Sequence, residues 1–277
     1  MCMTGVVGSL VRASHPLPAA AVTVLAATLA VTLRTPPDTL VILLVAVLSG
    51  QLSVGWLNDL IDRDRDRAVG RTDKPIALGQ LSVPTARIAI TIAAAVCIPA
   101  SLALGTGAGA AHLTAVAGAW AYNLGLKRTV WSWLPYAVSF GLLPVAVWLA
   151  SPAEGAPPWW MVTGAALLGI GAHGANVLPD LADDRATGVS GLPHRLGPRG
   201  LRIVTAAVLL AAFLTLTAGP GRPLAEPEVA ALAVVAVLAL LAAGVGRARL
   251  PERVPFYAVI GVAALAVVML LARGATG

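Results

Sequence analysis

Residues 58–79 read N-D-L-I-D-R-D-R-D-R-A-V-G-R-T-D-K-P-I-A-L-G, and residues 176–197 read N-V-L-P-D-L-A-D-D-R-A-T-G-V-S-G-L-P-H-R-L-G. Superposed without a gap at an offset of 118, the two stretches are identical at ten of 22 positions. The shared residues include Asn58/Asn176, Asp62/Asp180, Asp66/Asp184, Arg67/Arg185, Gly70/Gly188, Pro75/Pro193 and Gly79/Gly197. Most are polar or special to the backbone, so the match is not an echo of apolar composition. The chain carries two copies of one acidic element, N-x3-D-x3-D-R-A-x-G.

The surroundings of this element are very apolar. Of 277 residues, 58% are hydrophobic and only 12% charged, with mean hydropathy +0.84. That lies outside the range of soluble domains and points to the lipid bilayer as the chain's surroundings. Nine apolar stretches are expected to be helical spans: 17–33, 38–57, 84–104, 108–125, 131–150, 159–178, 200–218, 228–246 and 254–272. Pro, Gly or charge fills the breaks, as in the stretch with Pro152, Pro157 and Pro158. Two cysteines, Cys2 and Cys97, are too few and too distant for a disulfide framework. Arg12 precedes an apolar stretch, but no small-residue cleavage site follows, so no signal peptide is expected.

Charge sets the expected orientation. With the N-terminus in the cytoplasm and nine spans, 16 of the 19 Lys and Arg fall on the cytoplasmic side, and Arg34, Arg222 and Arg273 fall outside. Such asymmetry is the positive-inside pattern. It also excludes a nucleic-acid reading of the +6 net charge, because the basic residues sit in short connections between spans. The expected location is the plasma (inner) membrane, with a site opening to the cytoplasm. The acidic elements end the second and sixth spans and so share one orientation. They define a parallel repeat with halves at roughly 17–150 and 159–272 in a single domain, 1–277.

On a helix, Asn58, Asp62 and Asp66 share one face, rising about 12 Å. Asn176, Asp180 and Asp184 are expected to repeat that arrangement. Carboxylate and amide oxygens are hard ligands suited to Mg²⁺, which shares its coordination with phosphates. Two such faces across a cavity can hold Mg²⁺ and a diphosphate between them. Carboxylates near hydrocarbon are costly and mark function. By contrast, Asp59, Asp64 and Asp183 read as a solvated charge run. Asn58 and Asn176 read as ligands or as backbone partners at a helix end.

Lys74 and Lys127 are the only lysines. Both fall beside the acidic elements, where a point cation neutralises a leaving diphosphate or serves as an ordinary cytoplasmic charge. Arg71 and Arg67 are similar candidates. Tyr122 is a phosphate donor or an interfacial tyrosine. Pro75, Gly79, Pro193 and Gly197 read as turn residues folding each loop back over the site. His173 lines the cavity or packs in the core, and Trp56 and Trp120 are candidates to face a cation. Tyr136, Phe140 and Tyr257 are further candidates to line the cavity.

N-D-L-I-D-R-D-R-D with the later D-L-A-D-D resembles the paired aspartate-rich motifs of the UbiA superfamily of intramembrane prenyltransferases. G-R-T-D-K-P-I-A-L-G resembles that family's loop after the first motif, with Lys74 where Arg is more usual. G-V-S-G-L-P-H-R-L-G resembles the stretch after the second, with Gly191 where threonine is common. Y-N-L-G-L-K resembles its Tyr–Lys motif, with four residues rather than three between Tyr122 and Lys127.

The resemblance implies an all-α bundle of nine transmembrane helices around a central cavity. It further implies Mg²⁺-dependent transfer of a prenyl group from an isoprenyl diphosphate to a small aromatic or lipid-like acceptor. Asn58, Asp62, Asp66, Asn176, Asp180 and Asp184 would hold the metal. Asp62, Asp66, Asp180, Asp184 and Lys127 would carry catalysis, with Arg71, Lys74, Lys127, Tyr122 and Arg67 on the diphosphate. A terpene cyclase on the same scaffold would have the same metal site. A cation transporter fits less well, because the carboxylates sit at the ends of spans and not at the midplane.

Overall fold

Proline starts many of the helices and glycine relieves the turns between them. The computed structural model describes residues 3–181, 184, 191–242, 257, 261, 262, 264 and 265. Among them, regular structure is entirely helical: α1 (Met3–Ala13), α2 (Pro16–Thr32), α3 (Pro37–Ala68), α4 (Val83–Ala103), α5 (Thr106–Leu124), α6 (Leu134–Ala150), α7 (Trp159–Val177), α8 (Leu192–Ala218) and α9 (Glu226–Ala242). Short 3₁₀ turns follow α5 (Leu126–Arg128) and α7 (Leu178–Asp180). Helices α2, α3, α4, α6 and α8 each carry Pro in the first two positions, where its missing N–H costs no helical bond. The Ser82 hydroxyl caps α4 by accepting from the Thr85 amide.

The first eight expected spans each overlap one of the helices α2 to α9. The ninth, 254–272, lies almost wholly outside the described residues. Among the described residues, Pro37–Ala68, Val83–Ala103, Trp159–Asp180 and Leu192–Ala218 are long and apolar enough to cross a bilayer. The pair Gly5–Ala13 and Pro16–Thr32, bent by 65°, makes a fifth.

Three features depart from expectation. Helix α1 was not anticipated, because an eleven-residue helix is shorter than a span. Helix α3 continues about three turns past its expected end, so the whole D-R-D-R-D run is helical. The second acidic element is not one continuous α-helix. Pro179 lacks the N–H that would extend α7, and the chain tightens into a 3₁₀ turn at Leu178–Asp180.

Consecutive helices pack on one another, and α2 also reaches α6. One apolar cluster joins α2, α3, α5 and α6 around Leu43, Val47 and Val147. Another joins α7, α8 and α9 around Leu168, Leu209, Phe213 and Val235. Cys97 is a buried core residue on α4, as its setting predicts. Nearby, His112 of α5 meets the Ser101 hydroxyl at 2.8 Å.

The loop after the first motif is a chain of tight turns. The Lys74, Pro75 and Ile76 carbonyls accept from the Leu78, Gln80 and Gly79 amides. Gly79 adopts φ +70°. Its repeat partner Gly197 adopts φ +67°, just before Pro198, and kinks α8 there. Both positions demand a conformation that glycine takes without a Cβ penalty.

Candidate active site

Helix α3 delivers the first motif as three adjacent turns. Asp62 and Asp66 point inward and are buried, whereas Asp64 is exposed and, among the described residues, pairs with neighbouring Arg63 alone. Asn58 donates its amide N–H to Asp62 at 3.2 Å and to the Asn123 carbonyl oxygen at 3.1 Å. Asn123 in turn donates to the Val54 carbonyl. The amide at position 58 is therefore oriented by α5, and among the described residues its own oxygen has no donor on it, which suits it to a cation.

Two arginines join the motifs across more than a hundred residues of chain. Arg65 donates to Asp184 at 2.8 Å and to Asp62 at 3.3 Å, and its guanidinium lies 3.8 Å from Asp66. Arg71 donates to Asp180 at 2.8 Å while its other edge grips Asp73. That grip raises the Arg71 pKa and holds the Asp73 carboxyl down at about 2. Lys127 leaves the 3₁₀ turn after α5 and donates to Asp62 in a buried pair. Burial pushes the Lys127 pKa down, and Asp62 opposes the shift. Asp184 also meets His194 of α8 at 3.2 Å. Burial pushes its carboxyl up, against Arg65 and His194.

The remaining expected site residues fall as follows. Asn176 is exposed and donates to the Tyr136 hydroxyl at 3.3 Å. Tyr122, Tyr136 and His173 form one aromatic group, with ring centroids 5.1–5.7 Å apart, and Phe140 stacks beyond Tyr136. His173 is buried and meets the Ser132 hydroxyl at 3.1 Å. Arg67 turns to the loop, donating to the Ala77 carbonyl. Lys74 lies in a buried pair with Asp59 at 2.7 Å.

Two expectations are corrected here. Asp59 is not part of a solvated run: it is 2% exposed, with Lys74 and His15 on its Oδ1. Trp56 does not face the motifs' polar groups but donates to the Leu10 carbonyl and packs beside Ile76 and Leu81. Trp120 donates to the Ser53 hydroxyl. Tyr257 is exposed, and Asp183 and Arg185 lie outside the described residues.

Sequence reasoning passed over Arg65, Asn123, His15 and His194 as site groups or their supports. Arg65 carried a readable signal, since it stands three residues after Asp62 on the same helix. His15 and His194 carried none, because their partners are set by tertiary contact.

The donor set suits a hard divalent cation. It offers only carboxylate and amide oxygens, and the buried Oδ2 of Asp66 has no hydrogen-bond partner among the described residues. No three His, Cys, Asp or Glu side chains there already converge as a metal cluster. Guanidinium and ammonium heads stand between the carboxylates instead.

A model of the UbiA prenyltransferase family matches residues 19–255. The chain belongs to this family. It is an integral membrane prenyltransferase of the UbiA kind, and its neighbours in sequence and fold agree. It is 32% identical over 207 residues to the bacteriochlorophyll synthase 33 kDa chain of Cereibacter sphaeroides, covering 70% of this chain and 68% of that one. A UbiA homologue from Archaeoglobus fulgidus bound to GPP and Mg²⁺ superposes with TM-score 0.71 at 16% identity, over 97% of this chain and 100% of that one. The apo UbiA homologue from Aeropyrum pernix K1 gives 0.72 at 20% identity, over 97% and 98%. At such identities these two structures speak for the fold.

Proposed function

We propose that this UbiA-family chain transfers a prenyl group from an isoprenyl diphosphate to an acceptor within the membrane, with Mg²⁺ as cofactor. The observation that carries the reading is the pair of links Arg65–Asp184 and Arg71–Asp180, which bring both acidic motifs to one polar centre. The A. fulgidus homologue's GPP and Mg²⁺ support the same ligand class. Asn58, Asp62, Asp66, Asn176, Asp180 and Asp184 would hold the metal. Bound there, Mg²⁺ supplies Lewis-acid stabilisation of the diphosphate charge.

The chain's own groups do the rest. The allylic C–O bond breaks with its electron pair passing to the diphosphate oxygen. Lys127, Arg71 and Lys74 take up that charge, held in place beforehand by Asp62, Asp73 and Asp59. Arg67 anchors the loop through Ala77, and Tyr122, packed edge-on against Tyr136, would meet the substrate with its hydroxyl or ring. The Tyr122–Tyr136–Phe140 faces stabilise the allylic cation, and the apolar walls keep water from it. The acceptor's nucleophile then bonds to the allylic carbon, and any proton it carries passes to the departed diphosphate.

The positive-inside asymmetry supports a cytoplasmic N-terminus and a site on the cytoplasmic side of nine spans. The two halves would be a parallel repeat within one domain.

The test is a product assay. Purified protein is incubated with Mg²⁺ and prenyl diphosphates of several lengths, with and without acceptors that include small aromatics, lipids and a bacteriochlorophyll precursor. Acceptor-dependent prenylated product is the expected result. A cyclic terpene formed without acceptor would make the chain a cyclase on this scaffold.

A further inference from the structure

Helix α1 and the corner after it touch the first motif's loop at both of its ends. Arg12 donates to the Gln80 side chain at 2.6 Å. His15, in the corner with φ +55°, meets Asp59 at 3.0 Å and Lys74 at 3.1 Å. Between these ties, Ala13 packs with Ile76, Leu81 and Ala86, and Trp56 donates to the Leu10 carbonyl. The approach is close enough that a Cβ on Gly55 of α3 would lie 2.4 Å from the Ser14 carbonyl oxygen.

Asp59 sits at the centre of this contact. It stands seven residues before Asp66, about two helical turns, so the two share nearly the same face of α3. Lys74 is bonded to Asp59 on that face. An ammonium has three N–H donors. Among the described residues, Lys74 spends its contacts on Asp59 and His15 alone, which leaves one donor for a ligand. A lysine stem is flexible and its charge is unfavourable when buried alone. Asp59 and His15 hold the head in one place before the substrate arrives.

We propose that Asp59 and His15 are positioning residues for Lys74, which makes the N-terminal corner part of the diphosphate site. The inference rests on Lys74 being a diphosphate ligand, as read above. Asp59 and His15 act through Lys74 and touch no substrate themselves.

The experiment is a double-mutant cycle read by equilibrium binding of a non-reactive prenyl diphosphate analogue in the presence of Mg²⁺, with Tm measured for each variant. Lys74→Met is expected to weaken binding about tenfold, the scale of one charge-assisted hydrogen bond. Asp59→Asn and His15→Ala are each expected to weaken it about fivefold in the native background, and to add no more than about twofold on top of Lys74→Met. His15→Asn, which keeps an acceptor for the ammonium, is expected to recover part of the loss. Equal losses with and without Lys74 would make Asp59 and His15 merely structural and overturn the inference. So would native affinity in Asp59→Asn and His15→Ala, or in Lys74→Met. If Asp59→Asn does not fold, the His15 cycle alone decides. If the unmodified protein binds no analogue, it is the prenyl diphosphate reading of the site that fails.

Discussion

Arg65 of α3 reaches Asp184 of the second motif at 2.8 Å, although 119 residues of chain separate them. The same guanidinium touches Asp62, so one side chain bridges the two acidic clusters. Removing it leaves three buried carboxylates facing one another with less compensation. Arg65→Ala is expected to lower the Tm of the metal-free protein by about 5 °C or more, and added Mg²⁺ is expected to narrow the gap. Thermal unfolding in detergent with and without Mg²⁺ checks this. An unchanged Tm in chelator would show that the bridge carries no stability.

The repeated aspartates should be indispensable to turnover. Asp62→Ala strands the Lys127 charge and deprives the clamp of an oxygen ligand, and Asp180→Ala removes a ligand from the other half of the clamp while Arg71 keeps its pair with Asp73. Each is expected to reduce kcat/KM at least about a hundredfold, the effect of deleting a strong electrostatic stabiliser. Asp64→Ala is the control, expected to stay within about twofold because Asp64 is exposed and, among the described residues, paired with Arg63 alone. Steady-state kinetics on the three variants would reject the clamp if Asp62→Ala and Asp180→Ala turned over normally.

Binding of the diphosphate should itself depend on a divalent cation. Arg65, Arg71 and Lys127 are already engaged by Asp62, Asp180 and Asp184, so an incoming diphosphate meets carboxylates whose neighbouring positive charge is largely taken up, and a divalent cation supplies the balance. Chelation is expected to abolish binding of a non-reactive prenyl diphosphate analogue, measured by calorimetry. Affinity that survives chelation would mean that Arg65, Arg71, Lys74 and Lys127 hold the ligand unaided.

Topology can be read with reporters. One placed after Arg128 should lie in the cytoplasm, and one fused after Gly277 should lie outside. Both on one side would change the span count.

The apolar spans were readable because a bilayer imposes length and composition on each helix separately, so no partner need be known. The paired aspartates were readable for a related reason: duplication made Asp62 and Asp180 stand out against their neighbours. Asp59 shows where such reading ends. In sequence it is one acid among several beside arginines, like Asp64. Only the packing of the α1–α2 corner buries one and leaves the other in water. The break after Asn176 comes from Pro179, which the i, i+4, i+8 spacing of the repeat does not register. The aromatic group of Tyr122, Tyr136 and His173 draws on three different helices, α5, α6 and α7, and no local spacing announces it.

Gly55 and Asp59 stand one turn apart on α3, and both meet the corner formed by residues 14 and 15. The fit there depends on an absent methyl group, so the N-terminus is less a tail than an inserted key. A fusion partner or affinity tag that tugs on residues 3–15 would act at a distance on Lys74. Variants altered only within residues 3–15 are expected to differ in apparent substrate affinity while their catalytic aspartates remain the same.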